Sequence, residues 1–128
     1  MPAAAAAPNA IETYQAAVTS NPNSAEAYSN LGWGYYGQRK FDEAMTAFRQ
    51  ALALDRNYTD GHYGLGLTLK EAGKGPDAVP EFEAVVKLGP QDTNNIRGQM
   101  LARLARGHIN RINSGDWGLS ADIIRPSV

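Results

Sequence analysis

SNLGWGYYGQRKFDEAMTAFRQAL, residues 29–52, is answered further along the chain by YGLGLTLKEAGKGPDAVPEFEAVV, residues 63–86. Leu31-Gly32 falls on Leu65-Gly66, Ala44 on Ala78, Phe48 on Phe82, Tyr35 on Leu69 and Ala51 on Val85; just upstream, Tyr28 falls on His62. A fixed period of this length marks a stacked array, in which each unit buries its apolar face only against its neighbours.

Each copy divides into two helices. Tyr28, Leu31 and Tyr35 are helically spaced and predict a helix over 25–37, with Ser24 as N-cap and Glu26 in the first turn. Phe41, Ala44, Met45, Phe48, Ala51 and Leu52 form a broad apolar stripe over 41–54, after the polar turn GQRK. The second copy predicts helices over 60–72 and 76–88 around a GKG turn, with Pro76 at the first helical position and Pro80 close enough to the start for at most a slight kink. Gly32 and Gly66 lie in mid-helix, where glycine costs about 1 kcal/mol relative to alanine. Two such costs at one phase predict a close backbone approach, with Ala44 and Ala78 opposite and Phe48 and Phe82 filling the wider gap beside them.

These residues resemble the tetratricopeptide repeat, a helix–turn–helix unit of about 34 residues. Its pattern of a large residue, Leu-Gly, Tyr, Ala, aromatic and Ala is met by Tyr28, Leu31-Gly32, Tyr35, Ala44, Phe48 and Ala51. His62, Leu65-Gly66, Leu69, Ala78, Phe82, Val85 and Pro90 meet it again, with His62, Leu69 and Val85 as mild departures; Arg56 stands in place of the first closing Pro. Ala10, Tyr14, Ala17 and Pro22 extend the phase backwards as a lone second helix, with Asn9 and Glu12 as a variant capping box. The implied fold is all-α: a right-handed α-solenoid of stacked antiparallel helix pairs with a capping helix at each end. The expected organisation is a flexible tail over 1–8, a half-repeat cap over 9–22, units over 25–58 and 59–92, a closing helix over 93–113 and a tail over 114–128. The half-repeat is read as a cap rather than as the cut edge of a longer array.

The rest of the sequence narrows the chemistry. With 128 residues, a net charge of −1 and no cysteine, one small domain is expected, without disulfides, thiolate metal sites or a general attraction to nucleic acid or membrane. A cytoplasmic location fits that composition. No segment reads as a secretory leader, and none approaches the roughly 18 apolar residues of a membrane span. His62 and His108 have no partners at metal-ligand spacing, His62 standing where a packing residue belongs. The GWG and GLG runs fall within helices and follow no strand, so they are not phosphate loops. Asp42, Glu43, Glu81 and Glu83 read as exposed helix acids. Neither a catalytic constellation nor a cofactor site is expected. Residues 59–92 hold three Lys and six acids, and residues 93–128 five Arg and two acids. The Arg-rich closing helix is therefore expected to present a solvated face, or one paired to the acidic second unit.

The family resemblance implies a protein-interaction scaffold whose first helices line a concave groove holding an extended peptide or a partner helix. Carried over position by position, the contact residues are Glu26, Ser29, Asn30, Trp33 and Tyr36, then Asp60, Tyr63, Gly64, Leu67 and Lys70, then Asn94 and Arg97. Trp33, Tyr36 and Tyr63 are aromatics that the packing pattern does not demand; they suit binding anchors, or else pad neighbouring helices. Ser29 and Trp33, like Asp60 and Gly64, stand where the family's carboxylate clamp needs Lys and Asn, so that clamp is not expected. The alternative function is self-association into homo-oligomers through exposed repeat ends or through the tail with Trp117, Ile123 and Ile124.

Overall fold

The computed structural model describes residues 10–92 and 95–114, and of Asn95 the backbone. Six helices follow one another: α1 Ala10–Ser20, α2 Ala25–Gly37, α3 Phe41–Leu54, α4 Thr59–Glu71, α5 Gly75–Leu88 and, after a 3-10 turn at Gly89–Gln91, α6 Asn95–Ser114. No strand occurs among the described residues, and none of these helices is long and apolar enough to cross a membrane. Asn9, Asn94 and the tail residues Trp117, Ile123 and Ile124 lie outside the described residues.

Local chemistry sets the helix ends. The Ser24 hydroxyl accepts the Ala27 N–H at 3.1 Å, capping α2 as expected. Both first helices close on the same turn. In α2 the N–H groups of Arg39 and Lys40 bond the carbonyls of Tyr36 and Tyr35; in α4 those of Gly73 and Lys74 bond Lys70 and Leu69. This motif places its next-to-last residue in the left-handed region. Gly73 takes φ +81 there at no steric cost, while at the same phase Arg39 takes φ 60. α4 starts one residue earlier than the spacing predicts, because the Tyr58 carbonyl already accepts helical N–H groups from Gly61 and His62. α5 likewise starts at Gly75, which puts Pro76 at the second position and Pro80 inside the helix, where its missing N–H leaves the Pro76 carbonyl without its helical donor.

The helices stack as an α-solenoid. α2 pairs with α3 and α4 with α5; α3 packs on α4, α5 on α6, and α1 on α2. Lesser contacts join α2 to α4 and α4 to α6, so the three form one layer. Phe48, Phe82, Val85, Ala44, Ala51, Ala78 and Ala105 are fully buried in the seam.

The glycines act differently from the sequence-based expectation. Gly32 does not face a small residue: a Cβ placed there would lie 2.8 Å from the Phe48 ring, and one on Gly66 would lie 2.8 Å from the Phe82 ring. Gly64, in the following unit, approaches the same edge of the Phe48 ring more closely still. Phe48 is therefore seated on bare backbone from two helices, α2 and α4, and links two units rather than plugging one hairpin. A methyl on either glycine overfills the seam, at about 1–3 kcal/mol, and removing the ring empties it, at about 3–5 kcal/mol. Gly64→Ala is expected to lower the free energy of urea unfolding despite alanine's better helix propensity. Gly64→Ala combined with Phe48→Leu should cost less than the sum of the single changes, because the smaller side chain makes room for the methyl.

Candidate functional site

The first-helix layer of α2, α4 and α6 carries the residues that the family pattern marks for contact. Glu26 is exposed on the first turn of α2, and Asn30 and Tyr36 are half-buried. Ser29 is buried, with no partner for its hydroxyl. Trp33 and Tyr63 are each only 5% exposed. The Trp33 ring meets Phe48 edge-on at 5.1 Å and Tyr36 edge-on at 5.6 Å, and lies 6.4 Å from Tyr63. Tyr63 continues the run to Phe82 and His108, each 6.0 Å away. Edge-on rings at these distances set the positive rim of one against the negative face of the next. Trp33 and Tyr63 thus form a floor, while Tyr36 and Leu67 rest half-exposed on it. Gly64 lies beneath this layer, against Phe48.

Two contact positions engage each other. The Arg97 guanidinium of α6 donates to Asp60 of α4 at 2.7 Å, and both side chains are partly buried. This pair couples the basic closing helix to the acidic second unit. It also borders a polar pocket of about 560 Å³ between the α3–α4 and α5–α6 connections, lined by Asp55, Tyr58, Asp92 and Gln91 among others. Burial, with Asp60 and Glu26 nearby, pushes the Tyr58 hydroxyl up to about 12.

His108 belongs to this layer although the sequence offers it no neighbours. It stacks on Phe82 at 4.8 Å, 15° from parallel, one helix turn beyond Leu104 and Ala105. Its Nε2 lies 3.4 Å from the Tyr63 hydroxyl and its Nδ1 3.4 Å from Lys70 Nζ. Burial, then the positive charges of Lys70 and Arg111, hold it down at about 4, so the ring is uncharged at neutral pH. An uncharged Nδ1 can accept from the Lys70 ammonium, which leaves the proton on Nε2, directed at the Tyr63 oxygen. The signal in the sequence was the spacing Leu101, Ala105, His108 along one helix face.

His62 has the opposite character. Its Nδ1 lies 2.9 Å from Glu81 and its Nε2 2.8 Å from the Arg56 carbonyl, so both nitrogens face acceptors. Burial opposes the charged ring, but Glu81 and the Arg56 carbonyl outweigh it, and the net shift is upward. Glu81, read from the sequence as an exposed helix acid, is instead half-buried and committed to this contact.

The two histidines give opposite pH dependences. For His108, held below its ordinary 6.5, stability is fully present above about 6.5 and lost as pH falls toward about 4. For His62, held above its ordinary value, stability is present below about 6.5 and lost as pH rises through its folded-state value. His108→Phe keeps the stack on Phe82; the gap in melting temperature between the natural protein and this variant is expected to move against the natural protein from pH 6.5 to 4. His62→Gln should shift the gap on the alkaline side instead.

Known proteins resemble this chain in sequence. The tetratricopeptide repeat profile matches residues 25–58. Human Serine/threonine-protein phosphatase 5 is 32% identical over 84 residues, which cover 66% of this chain and 17% of that protein. The Peroxisomal targeting signal receptor of Saccharomyces cerevisiae is 24% identical over 90 residues, covering 70% of this chain and 15% of the receptor. Small glutamine-rich tetratricopeptide repeat-containing protein 2 of Mycosarcoma maydis is 29% identical over 83 residues, covering 65% of this chain and 24% of that protein. The chain spans less than a quarter of the length of each of these relatives. The profile match and the relatives agree with the all-α stacking of helix pairs, and the chain carries a tetratricopeptide repeat at residues 25–58.

Proposed function

We propose that the chain is a non-catalytic interaction module that holds an extended protein segment along the layer of α2, α4 and α6. Members of this family serve in protein–protein interaction, and one relative is named as a receptor for a targeting signal. The observation that carries the reading is the aromatic floor: Tyr36 and Leu67 stand half-exposed over buried Trp33 and Tyr63, flanked by Asn30 and Lys70. Rigid rings with partly open faces bind at low entropic cost, and the amide of Asn30 can pair both the N–H and the carbonyl of a passing backbone. Lys70, on the turn that closes α4, supplies a positive charge for an acidic group on the partner. The ionisable groups of the layer favour holding over chemistry: Asp60 is engaged by Arg97, and His108 is stacked and uncharged.

Peptides selected from a displayed random library provide the test. Tyr36→Ala and Leu67→Ala are each expected to weaken a selected peptide by about 1–2 kcal/mol, roughly tenfold or more, with circular dichroism unchanged. Lys70→Ala should reduce binding of peptides with acidic residues more than of neutral ones. Selected peptides whose affinity ignores all three changes would sink the proposal.

A further inference from the structure

The two ends of the described array are unfinished in complementary ways. α1 has the register of a second helix: Ala10, Tyr14 and Ala17 stand one repeat period before Ala44, Phe48 and Ala51. It packs on α2, with Tyr14 and Ile11 against Gly34. Among the described residues no first helix lies at its other side. α6 has the register of a first helix, packed mainly on α5 and touching α4 as α4 packs on α3 and touches α2. It then runs unbroken to Ser114, past residues 105–108, where the turns that end α2 and α4 would recur. Among the described residues no second helix returns along α6 at the repeat's phase.

Among the described residues the consequence is an uncovered apolar face. Ile96 is 85% exposed and Met100 55% exposed. They stand at the phase of Tyr28 and Gly32 in α2, the positions from which a first helix meets its own second helix. Pro90, Gln99, Arg103 and Arg106 border a cleft of about 520 Å³ around them. Within the first unit, Tyr35 of α2 and Thr46 of α3 line one groove. Transposed to the chain ends, Arg103 takes the place of Tyr35 and Glu12 of α1 takes the place of Thr46; both are exposed. The phase of the repeat thus brings an acid and a base to the rim of one groove.

We propose that α1 of one copy docks on the outer face of α6 of another, completing a repeat unit across the junction and joining copies head to tail. The two faces differ, so the contact is heterologous and each assembly keeps a free face at both extremities. Glu12 meets Arg103 at the rim. Met100 replaces Gly32 and Tyr14 replaces Phe48, so a flexible thioether packs on a ring and the junction helices stand wider apart than within a unit. A face-to-face contact between two α6 helices would instead oppose Arg103 and Arg106 to their own copies, at a like-charge cost.

Sedimentation velocity of the full chain at low salt tests this. The average mass is expected to rise with concentration from 13.8 kDa to beyond twice that value, and to fall back as salt is raised. Ile96→Glu with Met100→Glu should hold the chain at 13.8 kDa, as should Glu12→Arg with Ala16→Glu. An equimolar mixture of these two double variants should form a species of twice 13.8 kDa and nothing larger, because one intact face of each kind remains. Glu12→Arg or Arg103→Glu alone should weaken association, and the two together in one chain should restore it, whichever of the apolar variants folds. A chain that stays monomeric throughout overturns the proposal. So does a dimer that survives in the α1 variant, which would indicate α6 against α6. Association that appears only after removal of residues 115–128 overturns it too, since the chain's own tail would then be the occupant.

Discussion

The seat of Phe48 on bare backbone is the constraint from which the rest of the structure follows. Its ring lies against Gly32 of α2 and Gly64 of α4, and no side chain could stand at either position without displacing it. Close-packed interiors tolerate little change in volume, so this contact sets how near the two units approach and in what register. Phe82 repeats the arrangement on Gly66, but its other face is covered by the His108 ring. The array thus passes from glycine-seated rings to a ring stack at its last helix. There the backbones of Gly89 and Gly98 come into direct contact, and neither position admits a Cβ.

Because α3 and α5 hold the seam, the layer of α2, α4 and α6 is left with large side chains that the hairpins do not need. Trp33 and Tyr63 sink into the core; Tyr36, Leu67 and Lys70 stay half-exposed above it.

Charge is arranged along the chain rather than around a site. The basic α6 is tied to the acidic second unit through Arg97 and Asp60, which leaves Arg103 and Arg106 exposed on its far side. The near-zero net charge conceals this polarity, with an acidic middle and a basic closing helix. The head-to-tail contact proposed above would use the same polarity once more, at Glu12 and Arg103.

The sequence by itself determined the helices and their pairing. The fixed repeat period, the recurring glycine, alanine and phenylalanine positions, and Ser24 ahead of an apolar stripe are local or strictly periodic signals, and helix formation responds to such signals. The ends of α4 and α5 were displaced by a residue because turn hydrogen bonds, not side-chain spacing, set them. Only the tertiary structure decided that Phe48 bridges two units, that Trp33 and Tyr63 lie beneath the surface, that Asp60 is engaged by Arg97, and that His108 stacks uncharged on Phe82. Those contacts join residues far apart in the chain, across helices whose relative rotation depends on the packing of the whole seam. Periodicity specifies which face of a helix is apolar, but not how deeply a particular ring sinks when two such faces close on each other.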